Sequence, residues 1–85
     1  MSERILGPNM KRLLAFKVSR DAIPNGGGVA SGIAFLLNPE KMAETSRKAL
    51  EWCDQAIAAV RATPDNPYGN NEEDIAAAIL KRIDQ

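Results

Sequence analysis

Apolar residues recur at Met42, Ala49, Leu50, Cys53, Ala56, Ile57 and Val60, the three-and-four spacing that gathers side chains on one side of a 3.6-residue helix. Glu40, Glu44, Arg47, Glu51, Asp54 and Arg61 fall on the opposite side, and Glu44 stands four residues before Lys48 in the favourable acid-then-base order. The pattern predicts a long amphipathic helix from Asn38 to Ala62, with a buried stripe and a solvated charged face. Asn38 marks its start, because its side-chain oxygen can accept from the free N–H groups of the first turn, and Pro39 brings a helix-compatible φ. Thr63-Pro64-Asp65-Asn66-Pro67-Tyr68-Gly69 marks its end, since two prolines and a glycine cannot continue the helix. At about 1.5 Å per residue the element spans roughly 35 Å, longer than an average helix.

A second helix is predicted near the C-terminus. Asn70 and Asn71 precede Glu72, Glu73 and Asp74, acids suited to the positive first turn, and Asn70 with Glu73 has the spacing of a capping box. Lys81 and Arg82 suit the negative last turn, while Ile75, Ala76, Ile79, Leu80 and Ile83 form the apolar stripe. The short intervening loop brings this helix back against the long one as a helical hairpin, and the alanines of both allow close approach.

The first 37 residues hold two apolar runs whose periodicity does not separate helix from strand. Residues 10–20 read as a helix capped by Asn9, with Met10, Leu13, Leu14 and Val18 on one side, or as a strand with Leu14, Phe16 and Val18 on one face. Residues 29–37 are nearly continuously apolar; Gly32 weakens a helix and the shortage of β-branched residues weakens a strand. Leucine and alanine tilt the reading to helices. The expected fold is therefore a mainly α, single small globular domain spanning residues 1–85, with a central long helix; the alternative is an α+β domain of ββαα order with an N-terminal hairpin.

Composition narrows the class. With 85 residues, 45% hydrophobic and 26% charged, the chain has the balance of a small globular domain of modest monomer stability. Its apolar runs fall short of the roughly 20 residues of a membrane span, and residues 1–9 lack a secretory pattern, so a cytoplasmic protein with no membrane association is expected. Cys53, the single cysteine, lies on the apolar stripe and reads as a buried thiol. Histidine is absent, which removes the commonest general base and zinc ligand, and no nucleophile with a base stands out; the sequence leans away from an enzyme. Glu72, Glu73 and Asp74 point in different directions on a helix and do not suggest a metal site; no cofactor is implied.

Net charge is zero, yet residues 1–37 carry five basic side chains against two acidic ones, and the remainder balances them. Without a dense basic stripe or an aromatic RNA-binding signature, nucleic acid is disfavoured as a partner. Residues 24–32 form the one segment with the look of a ligand loop: Gly26, Gly27 and Gly28 free backbone N–H groups for an anion, with Ser31 and Arg20 placed to help. The spacing misses both the Walker and the dinucleotide patterns. Trp52, on the flank of the long helix, covers the core edge or enters an interface, and Met42 and Tyr68 are the other candidate interface residues. The leading expectation is a non-enzymatic domain that self-associates or docks a protein partner through the apolar sides of its helices. The alternative is a small-ligand or anion-binding protein, or an enzyme subunit, that uses the glycine loop.

Overall fold

The computed structural model describes residues 5–22 and 29–84. They form four α-helices: α1 (Pro8–Asp21), α2 (Val29–Leu36), α3 (Pro39–Arg61) and α4 (Glu72–Ile83), with no strand among the described residues. The fold is mainly α, and the ββαα alternative is corrected: residues 10–20 and 29–36 are both helical. Leucine, alanine, lysine and arginine in the first run are strong helix formers, and Pro8 at the first helical position fixes φ for it. A hairpin of those two runs with no third strand to cover it has little stability of its own, so helical packing prevails over the strand pattern.

α3 starts as its sequence implies, with the Asn38 side chain accepting from the Lys41 N–H at 3.2 Å and Pro39 in the first turn. Its charged face carries the Glu44–Lys48 pair at 3.2 Å and an Arg47–Glu51 pair at 3.0 Å, both exposed and worth little to stability. Arg61 is exposed like the others but also makes a tertiary contact. It donates to the Asn70 carbonyl at 2.8 Å and lies 3.6 Å from Glu72, fastening the end of α3 to the start of α4. Between them Asn66 holds the turn, accepting from the Tyr68 N–H and donating to the Gly69 carbonyl, and Gly69 takes a left-handed φ of 62° that favours glycine.

Two helix starts differ from the sequence reading, and one residue explains both. Asn71, not Asn70, caps α4, accepting from the Glu73 N–H at 3.1 Å. Glu73 is thereby released from a capping box, and its carboxylate reaches the start of α1, where Asn9 and Met10 donate their backbone N–H groups at 2.9 and 3.2 Å. The cap residue of α1 is Gly7, which supplies no side-chain cap, and Asn9 sits inside the first turn, its side-chain amide donating to the Glu73 carbonyl at 3.2 Å. Glu73 thus satisfies the orphan donors of a helix more than sixty residues away in sequence and places a negative charge at its positive end.

The core joins α1, α3 and α4 through Met10, Leu13, Cys53, Ile57, Ile75, Ala76 and Leu80, all nearly or fully excluded from solvent. α3 and α4 touch as a hairpin, but most of the packing runs through α1, which lies against both. The long helix is central, touching all three others among the described residues, and α1 shares that role by lying against two of them. α2 has α3 as its sole helix neighbour among the described residues. The result is a flat molecule of 43 × 37 × 19 Å.

Candidate functional site

α2 is an apolar helix left largely uncovered. Ile33, Leu36 and Leu37 are 52%, 61% and 78% exposed, and Ala30 and Ala34 are exposed as well. Positions 30, 33, 34 and 37 recur at the spacing that makes one helix face, and the Leu37 N–H continues the helical pattern by donating to the Ile33 carbonyl at 3.0 Å. A helix that is apolar all round belongs inside a larger core or against a partner. Residues 22–39 contain no Asp, Glu, Lys or Arg, so charged side chains are absent from this whole stretch of sequence.

Beside α2 lies an open groove of about 530 Å³, walled by Leu14 and Val18 of α1 and Ala22 just past its end, Phe35 and Leu36 of α2, and Met42 of α3. Its polar contributions come from Lys11, Ser19 and Ser46 on its margin. The groove exists because α1 and α2 both lean on α3 without meeting each other. The cavity and the protruding stripe occupy neighbouring surfaces and share α2 as a wall.

The three interface candidates read from the sequence are dispersed, two along α3 and one in the loop after it. Met42 lines the groove. Trp52, ten residues further on, is half-buried against the core, with the Lys17 ammonium 5.1 Å from its ring centre; Lys17 is itself 3.4 Å from Asp21. Tyr68, 39% exposed, sits in the loop beyond α3 beside a shallow depression formed with Val60, Pro67, Ala78 and Ile79. Sequence reasoning passed over Ile33, Leu36 and Leu37. The available signal was the apolar run 29–37 in a chain with too little mass to enclose it.

Of the anion-loop candidates, Gly26, Gly27 and Gly28 and the side chain of Ser31 lie outside the described residues, and Arg20 is exposed in the last turn of α1. Glu72, Glu73 and Asp74 separate as their helix dictates, Glu72 towards Arg61 and Glu73 towards α1. Among the described residues no group of three or more His, Cys, Asp or Glu side chains is placed to share a metal ion, and no helix is long and apolar enough to cross a membrane. Comparison with known protein families, with curated proteins and with solved structures finds no match.

Proposed function

We propose that this chain is a non-catalytic helical interaction module, whose working face is the apolar stripe of α2 and the adjoining groove, and which takes an apolar helix face of another polypeptide. The observation that carries the reading is the exposure of Ile33, Leu36 and Leu37 on a helix with no charged residue. Removing such side chains from water is worth roughly 1.5–3 kcal/mol each, the scale on which a few anchors sustain a specific interface. The groove supplies concave apolar walls next to them, the form of a helix-in-groove contact. The absence of histidine from the chain is in keeping with binding and not catalysis.

A photoreactive amino acid at position 37, compared with one at position 58 on the exposed charged side of α3, tests this in cells. Discrete protein adducts from position 37 and none from position 58 are expected. Equal or absent labelling at the two positions removes the reading.

A further inference from the structure

We infer that the occupant of this face is a second copy of the same chain, paired about a twofold axis that passes the middle of α2; the inference rests on the interaction reading above and names its partner. Two observations single out a copy. First, the stripe carries both halves of a contact: the large exposed side chains of Ile33 and Leu37 and, on the same face, the small Ala30 and Ala34. A twofold axis at its middle lays the stripe of each copy antiparallel on that of the other, which is the self-complementarity an isologous interface requires. Second, identical surfaces brought together oppose like with like, so any charge on the axis would meet its equal. Residues 22–39 contain no charged side chain, and the chain as a whole has no net charge to keep copies apart.

The geometry fixes which residues meet. The stripe 30, 33, 34, 37 has Ile33 and Ala34 at its centre, so an antiparallel α2 pair places these nearest the axis, opposite their own counterparts, with Leu37 of each copy towards the other end of its neighbour. Ala30 and Ala34 let the two backbones come close enough for Ile33 and Leu37 to interdigitate.

Sedimentation equilibrium of the full chain tests the inference, from ~5 to ~500 μM, the range over which a small apolar interface dissociates. A monomer–dimer equilibrium is expected, and Leu37→Glu, at a position too exposed to disturb the fold, is expected to weaken it at least tenfold, with an unchanged helical circular dichroism spectrum as the folding control. Ala34→Cys is expected to be joined to its own copy by a short bis-maleimide linker, whereas Ala58→Cys is not; Cys53 is buried and does not compete. A chain that stays monomeric across the whole range, a dimer indifferent to Leu37→Glu, or equal linkage at positions 34 and 58 overturns the inference. If it falls while position 37 still labels a protein of another mass in cells, the interaction reading stands with a different partner; if both fail, the face has no binding role.

Discussion

The side chain on which the fold most depends for its start is Glu73, because it closes a helix that has no cap of its own. Gly7 offers the first turn of α1 nothing, and the carboxylate supplies two charge-assisted hydrogen bonds in its place. The same approach leaves no room for a Cβ at position 7 unless the Glu73 carboxylate moves aside, although φ at Gly7 is −73°, a value alanine adopts without strain. Glu73→Ala and Gly7→Ala are each expected to cost about 1–2 kcal/mol, the first through lost capping and the second by displacing the cap. In the Glu73→Ala background, Gly7→Ala meets no carboxylate and is expected to change stability by only a few tenths of a kcal/mol, a non-additivity that urea denaturation of the four proteins measures. Additive costs would show that the two residues act separately. Nothing local in the sequence reveals this pairing. The Asn-Glu spacing at the start of α4 is real, but Asn71 takes the cap one residue later, and the freed carboxylate finds its partner through tertiary packing.

At the scale of helices, the stripe on α3 and the stripe on α4 were legible because period, cap and stop signals agree over each of them: Asn38, Ala49, Cys53, Ile57, Ile75 and Leu80 stand where the spacing put them. The part played by α1 was not legible. It lies against both α3 and α4, sharing their core through Met10 and Leu13, and a short run readable as either strand or helix gives no warning of that. The energetic consequence is a sharp contrast between leucines. Leu13 is fully buried among three helices, and Leu13→Ala is expected to cost about 2–5 kcal/mol, a large part of the stability of a domain this small. Leu36 is 61% exposed, and Leu36→Ala at low protein concentration is expected to cost well under half as much. Thermal denaturation of dilute samples checks the ranking; equal losses would mean that α2 belongs to the monomer core after all.

For the whole molecule, two properties of the sequence suggest opposite ways for copies to meet. The basic excess of residues 1–37 and the acidic excess of the remainder favour head-to-tail attraction, whereas the uncharged, uncovered face of α2 favours an apolar twofold contact. Thermodynamic linkage separates them. A dimer that dissociates on unfolding gains stability with concentration, by about 1.4 kcal/mol of dimer for each tenfold rise above its dissociation constant, which is about 0.7 kcal/mol per chain. In a domain of this size 1 kcal/mol moves the melting temperature by roughly 4–8 °C, so an upward slope of a few degrees per decade is expected for the unaltered chain and a flat line for Leu37→Glu. Salt then identifies the force. Surface charge attraction weakens as the Debye length falls to about 3 Å at 1 M, while apolar burial holds, and sulfate strengthens it. A concentration slope that survives 1 M salt and is lost in Leu37→Glu places the contact on α2; a slope abolished by salt and kept in Leu37→Glu assigns it to the charged halves instead.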